Sequence, residues 1–405
     1  MNDNNFSKLS YELTKNITKE NKKKDGIYFT PPKTINRNLD ILEPYMKNIK
    51  TILEPSCGSC EYLLKLSNKY KDLKLTGIEF NETIFNSIKS LQDNNLSLLN
   101  ENFLTYKQVN NPDLIIGNPP YYVMKKSDVN KIYYNYFDGR PNIFILFIIK
   151  SLSILSLYGI LSFVLPKNFL NCLYYNKTRE LIYQNYKILH ISKCNDDYIE
   201  TKQDTVLFIV QKVKDVEFDN IKYVLQRGKY TIFGEPEHIE KLKILYYNST
   251  TLNNLNFIVN VGSIPWNQYK KDLTDDKTKT LLIYSSDIKD NKIVIQKYSN
   301  KDKKNYINKD GTKGPLLIIN RGYGVGKYNF NYCLLDIESE YLIENHLIFI
   351  KYTKTISDED LKILYKNIIK SFENKKTAEF IKLYFGNNAI NTTELSDILP
   401  IYEVE

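Results

Sequence analysis

The 405-residue chain carries 56 Lys/Arg against 47 Asp/Glu, a formal net charge of +9, with five cysteines and three histidines. That length exceeds one ordinary domain and leaves room for two or three, each with a full core. An odd cysteine count without a secretory signal argues for a reduced intracellular protein, and a lone CxxC (Cys57, Cys60) beside only His190, His238 and His346 argues against a zinc site. The charge excess is local: Ile221 to Phe330 holds 19 Lys/Arg against 10 Asp/Glu, and the remainder balances at 37 each. Such a segment suits a polyanionic partner, because counterion release drives non-specific nucleic-acid binding, but it also suits a lysine-rich solvated face.

Residues 1 to 24 are polar, end in "KENKKK", and read as a mobile or weakly packed arm. From Thr51 to about Lys212, strand-like runs alternate with helix-like segments: "TILEPS", a helix near Cys60–Asn68, "LKLTGIEF", a helix near Glu82–Leu91, "LSLLNENFL", then "DLIIGNPPY". A long helix Ile143–Leu157, "ILSFVLP", a helix near Tyr174–Asn185, "KILHISKC" and "DTVLFIVQK" follow. Lys150, three serines and the Tyr158-Gly159 break argue against a membrane span in the longest apolar stretch. The rhythm predicts an α/β fold with a mostly parallel, doubly wound sheet, whose ligands bind beyond the carboxyl ends of the strands. After Lys212 the pieces shorten ("KYTIF", "LLIYSS", "KIVIQKY", "PLLIIN", "YCLLD", "HLIFI"), and helices are expected over Asp358–Asn374 and Lys376–Phe385. This reads as a second, mixed α/β domain.

The chemistry-bearing residues fall at the predicted strand ends. In "ILEPSCGSCEYL" a strand runs through small residues into a helix, so Gly58 lets backbone approach a ligand and the helix start offers free N–H groups. Glu79, ending the next strand, suits a pair of ribose hydroxyls, or else a helix cap. In Asn118-Pro119-Pro120-Tyr121 the prolines fix the path, so the Asn118 side-chain oxygen and the Pro119 carbonyl can converge as paired acceptors on an exocyclic amino group, with Tyr121 as a stacking ring. A rigid turn closed by asparagine is the plainer alternative.

Together these residues resemble the gamma class of adenine-N6 DNA methyltransferases of restriction-modification systems, which use S-adenosyl-L-methionine as methyl donor. "GIYFTPP" resembles the family's N-terminal motif, "EPSCGSC" its cofactor loop, "GIEF" its ribose acid, "NENFL" its adenine-edge motif and "NPPY" its catalytic motif. "FILFIIKSLSILSLYGILSFVLPKNFL", "DDYIETKQDTVLFIVQK" and "NNAINTTELSDILPI" are similar to later blocks. The resemblance implies a polar arm over 1–24, a Rossmann-like class I methyltransferase domain over 25–215 and a mixed α/β target-recognition domain over 216–405. It places Thr30 and Pro31 at the methionine end of the cofactor, Glu54, Pro55 and Gly58 in its loop, Glu79 at the ribose, and Asn102 and Phe103 at the adenine. Asn118, Pro119, Pro120 and Tyr121 become the catalytic loop, Asn118 also bordering the cofactor, and Tyr121 and Tyr198 stack on a flipped adenine.

Three residues depart from the family pattern: Cys60 stands for the usual second glycine, Asn102 for aspartate, and Tyr198 for phenylalanine. In the basic segment, Lys297, Lys303, Lys304 and Lys313 are expected at phosphates, with Arg321 and Lys327 in "NRGYGVGKY" at a guanine edge or phosphate, unless both stretches are solvated loops. The implied partner is double-stranded DNA, bound by a monomer without a membrane, any restriction endonuclease acting separately. The alternatives are methylation of RNA adenine or a protein amide, and a catalytically degenerate DNA-binding homologue.

Overall fold

The apolar runs of the first half pair into one seven-stranded sheet in the computed structural model of the chain, which describes residues 5–107, 110–196, 198–200, 203–214, 219–321, 330–385 and 390–402. The strands are Thr51–Glu54 (β1), Lys74–Ile78 (β2), Leu96–Leu99 (β3), Leu114–Gly117 (β4), Ile160–Pro166 (β5), Tyr186–Cys194 (β6) and Thr205–Lys212 (β7). Their spatial order is β3-β2-β1-β4-β5-β7-β6, with β7 antiparallel to β5 and β6 and all other neighbours parallel. This is the expected mostly parallel, Rossmann-like sheet.

Helices Lys8–Asn16 (α1), Lys19–Asp25 (α2), Pro32–Leu42 (α3), Glu61–Lys69 (α4), Glu82–Ile88 (α5), Ile143–Ile154 (α6) and Asn176–Asn185 (α7) accompany it. Strand side chains alternate between faces. Along β4, Leu114 and Ile116 therefore join Leu63 and Leu66 of α4 in one core, while Ile115 joins Ile145 and Ile148 of α6 in the other. Every side chain from Ile143 to Ile149 is buried, which explains the uninterrupted apolar run of α6. Among the described residues no helix is long and apolar enough to cross a membrane.

The N-terminal segment corrects the sequence reading. It is not a weakly packed arm: Leu13 and Ile17, one helical turn apart, bury against Phe29 and Ile84, and Ser7 caps α1 by accepting from the Ser10 N–H at 3.1 Å. A polar average hid that single stripe. Helix α3 also escaped the sequence reading. Strands Val224–Arg227 (β8) and Tyr230–Phe233 (β9) form a hairpin around Gly228, and Phe233 stacks on Phe208 of β7 with centroids 5.8 Å apart. The compact units are accordingly Met1–Ile239 and Glu240–Glu405, so residues 216–239 fall with the first.

Within the second unit, Phe257–Val261, Leu347–Tyr352, Leu316–Asn320 and Tyr332–Leu335 form an antiparallel sheet in that order. A second sheet pairs Thr280–Ile283 in parallel with Tyr341–Ile343. Helix Asp358–Glu373 is tied to the first sheet by the Tyr365 hydroxyl, which donates to the Ile350 carbonyl at 2.7 Å, and Lys375–Phe380 continues into a π-helical turn. The expected strand "KIVIQKY" shrinks to Lys292–Ile293. Beyond it, the Val294 N–H donates to the Asp287 carbonyl and the Gln296 N–H to the buried Asp287 carboxylate, so the run wraps that carboxylate instead of pairing with a strand.

Phe208 is fully buried and also meets Phe169 edge-on at 5.2 Å. Phe208→Ala is expected to cost roughly 3–5 kcal/mol, read as a fall in the denaturant midpoint; a loss under about 1 kcal/mol would contradict this packing.

Candidate active site

Because β1, β2 and β4 are parallel, the loops leaving them share one edge. The Gly58 N–H donates to Glu79 Oε2 at 2.9 Å, and the Asn81 N–H to Glu79 Oε1 at 2.8 Å. Burial raises the Glu79 pKa, and these backbone donors pull it back. Asn81 caps α5 by accepting from the Ile84 N–H, so Glu79 is not the helix cap. Each Glu79 oxygen keeps a further lone-pair direction, and the side chain lines a cleft of about 350 Å³. In the same loop Gly58 and Cys60 both hold left-handed φ, +51° and +62°. Cys60 thus adopts a backbone conformation that favours glycine, at a cost of roughly 1–2 kcal/mol.

Glu54 ends β1 almost wholly buried, and its Oε2 meets no hydrogen-bond donor among the described residues. Burial, then the charges of Cys60, Glu79 and Glu61, hold its pKa well above the usual carboxylate range. A Cβ on Gly117 (φ +147°) would lie 3.2 Å from Glu54 Cγ, so glycine is required directly before Asn118. Glu54 borders a small cavity with Phe29, Thr30, Gly58, Glu61 and Asn118. Pro31 is buried at the start of α3, and Pro55 lines the larger cleft.

Asn118 is held from three sides. Its Nδ2 donates to the Tyr28 carbonyl at 3.2 Å, its carbonyl accepts from Ser56 Oγ at 3.2 Å, and its Oδ1 faces the Tyr121 hydroxyl at 2.5 Å. That hydroxyl also reaches the Val164 carbonyl at 2.6 Å, and with one proton it serves one acceptor at a time. Among the described residues no donor is bonded to the Pro119 carbonyl. Gly26 (φ +67°) closes on this loop, since a Cβ there would lie 2.7 Å from the Tyr121 nitrogen. The Tyr121 ring packs edge-on against Phe144 with centroids 6.0 Å apart, and Pro120 and Tyr122 line the cleft.

Beyond β6, Tyr198 is buried with its hydroxyl unpartnered among the described residues. Burial pushes that phenol's pKa up, while Thr205 and Asn118 nearby draw it down. Asn102 Oδ1 accepts from the Leu104 N–H at 3.0 Å, and Phe103 packs on Phe147 at 5.1 Å, both at the cleft wall. The roles read from sequence omit Phe80, which is 70% exposed in that wall, and Tyr122. An apolar ring directly after the strand-end acid was the available signal for Phe80.

In the second unit, Lys297, Lys313 and Arg321 are exposed, and Lys327 lies outside the described residues. Lys303 does not extend into solvent: its ammonium sits 3.9 Å from the Tyr298 ring centroid and 4.1 Å from that of Tyr284, where burial lowers its pKa. Lys304 pairs with Asp275.

The first unit's cleft meets the needs of S-adenosylmethionine. Its volume falls within the range of cofactor sites, roughly 300–1,000 Å³, Gly58 leaves close access, and in the small cavity beside it Glu54 keeps one buried carboxyl oxygen without a partner among the described residues. Since the folded-state pKa of Glu54 is raised, its carboxyl costs no stability below the ordinary value of 4.5 and a growing amount as pH rises from there toward the raised value. Glu54→Gln should therefore raise the melting temperature near neutral pH, with the gain vanishing toward pH 4, while weakening cofactor binding by calorimetry. A variant less stable at every pH would refute this account.

Residues 5–199 match the family model described as Eco57I restriction-modification methylase. The chain is 27% identical over 419 residues to the modification methylase CviBIII of Paramecium bursaria Chlorella virus NC1A, covering 99% of this chain and 100% of that one. It is 27% identical over 409 residues to the type II methyltransferase M.CvrRI of Paramecium bursaria Chlorella virus XZ-6E, covering 98% and 99%. The crystal structure of the type IIG restriction endonuclease BpuSI superposes with a TM-score of 0.46 at 12% identity, over 98% of this chain and 60% of that one. The likeness to modification methylases thus spans almost the whole chain, and that to the restriction-modification methylase family covers its first half, where the sheet and the strand-end loops lie.

Proposed function

We propose that the chain methylates the N6 amino group of adenine in double-stranded DNA. The observation that carries this reading is the fixed Asn118 amide: with Nδ2 committed to the Tyr28 carbonyl, Oδ1 is the atom left to face an incoming amine, next to the Pro119 carbonyl. The likeness to modification methylases supports a DNA substrate, as does the basic excess between Ile221 and Phe330.

Thr30, Glu54, Gly58, Glu79, Asn102 and Phe103 would hold S-adenosylmethionine, which would supply the electrophilic methyl group. The N6 lone pair of adenine is delocalised into the ring and is a poor nucleophile. Asn118 Oδ1 and the Pro119 carbonyl accept its two hydrogens and favour a pyramidal nitrogen with a localised lone pair. Preorganised acceptors then stabilise the positive charge that grows on nitrogen, as an oxyanion hole does for negative charge. No histidine lines the cleft, and this chemistry requires no strong base. As the amine arrives, the Tyr121 hydroxyl transfers its hydrogen bond from Asn118 to the Val164 carbonyl, releasing Oδ1. A paired N6 is inaccessible, so the base is flipped out, and the Tyr121 and Tyr198 rings offset the few kcal/mol of unstacking.

Asn118→Ala should reduce methyl transfer by about a hundredfold or more while duplex DNA binding is retained, measured with tritiated methyl donor on DNA, RNA and protein. Methyl transfer to RNA or protein but not DNA, or unchanged turnover in the variant, would overturn the reading. Methylation-sensitive sequencing of DNA from expressing cells would locate the modified adenine.

A further inference from the structure

Of the adjacent lysines Lys22, Lys23 and Lys24 on α2, only Lys22 turns inward, and it is 4% exposed. Its ammonium has three N–H donors, and the structure accounts for all of them: the Thr14 carbonyl at 2.6 Å, Glu200 Oε1 at 2.8 Å and Glu200 Oε2 at 2.6 Å. Glu200 lies two residues after Tyr198. Two residues before Tyr198, Asp196 Oδ2 accepts from Thr34 Oγ1 of α3 at 2.6 Å. The Tyr198 hydroxyl lies near Thr205 and Asn118 without a hydrogen bond that meets geometric criteria among the described residues, and the two pins flank its ring. The segment that carries Lys22 also runs through Gly26 and Tyr28 to the Asn118 loop.

We propose that Lys22 is a positioning residue for target-base capture: through Glu200 it holds the Tyr198 segment in place opposite Asn118. The inference rests on the adenine reading above. The test uses the full chain, S-adenosylhomocysteine and a duplex oligonucleotide carrying 2-aminopurine at the adenine located by sequencing, whose fluorescence rises when the base leaves the stack. Lys22→Met and Glu200→Gln should each lose at least half of that rise and raise the KM for duplex about tenfold. The melting temperature and cofactor affinity should hold, Lys22→Arg should restore capture, and the double variant should lose no more than either single one. A wild-type rise with an equal rise in Glu200→Gln and Lys22→Met would overturn the proposal alone, as would variants that lose cofactor binding and melting temperature in step with capture. If Lys22→Met fails to fold, Glu200→Gln, on a side chain 38% exposed, decides the matter. No rise and no methyl transfer with the wild-type chain would overturn the adenine reading itself.

Discussion

The bond from Asn118 Nδ2 to the Tyr28 carbonyl decides which face of one amide the cleft sees. A side-chain amide presents a donor and an acceptor that differ little in shape, so its chemistry depends on what anchors one end. Here the anchor is a backbone carbonyl, which can only accept. The anchoring strand of chain arrives from Gly26, whose missing Cβ lets it lie against the Tyr121 nitrogen. Much of the remaining architecture supports this arrangement: Gly117 makes room for Glu54 beneath, Ser56 holds the Asn118 carbonyl, and Phe144 braces the Tyr121 ring.

Around that amide the protein concentrates unfavourable burial. Glu54 and Glu79 are both carboxyls with raised pKa, and Cys60 holds a strained backbone between them. None of these features stabilises the fold. Strain and unsatisfied polar atoms persist where surrounding packing over-determines them, and the two cores on either face of the sheet provide that packing. Glu79 shows how such a group is made tolerable, since backbone N–H groups of Gly58 and Asn81 satisfy it.

Much of this is legible in the sequence because it is written in short periods. Alternating runs announced the parallel sheet, and the strand-end loops were recognisable from residue type alone. The failures are of another kind. "KIVIQKY" has every local property of a strand, yet Asp287, buried some residues earlier, captures its N–H groups. The N-terminal segment looked solvated because its inward residues, Ser10, Leu13, Ile17 and Lys22, are spaced among many charged ones. Lys303 was counted as a free cation, but the rings that receive it come from Tyr284 and Tyr298, and no window on the sequence reveals such a meeting. The exchange open to the Tyr121 hydroxyl depends on Val164, 43 residues away.

The one antiparallel strand, β7, gives the Asn118 loop and the Tyr198 segment different supports. Strands β1, β2 and β4 reach the site through crossover connections, whose helices are core elements, so their loops can hardly change without disturbing a core. Tyr198, which is not among the residues lining the cleft, instead follows β6 on the way to its antiparallel neighbour β7. Lengthening a hairpin tip costs little free energy, because loop-closure entropy grows only slowly with length. The Asn118 loop thus rests on crossover connections that are tied to the cores, while Tyr198 sits on the connection between β6 and β7, where added length costs the fold little.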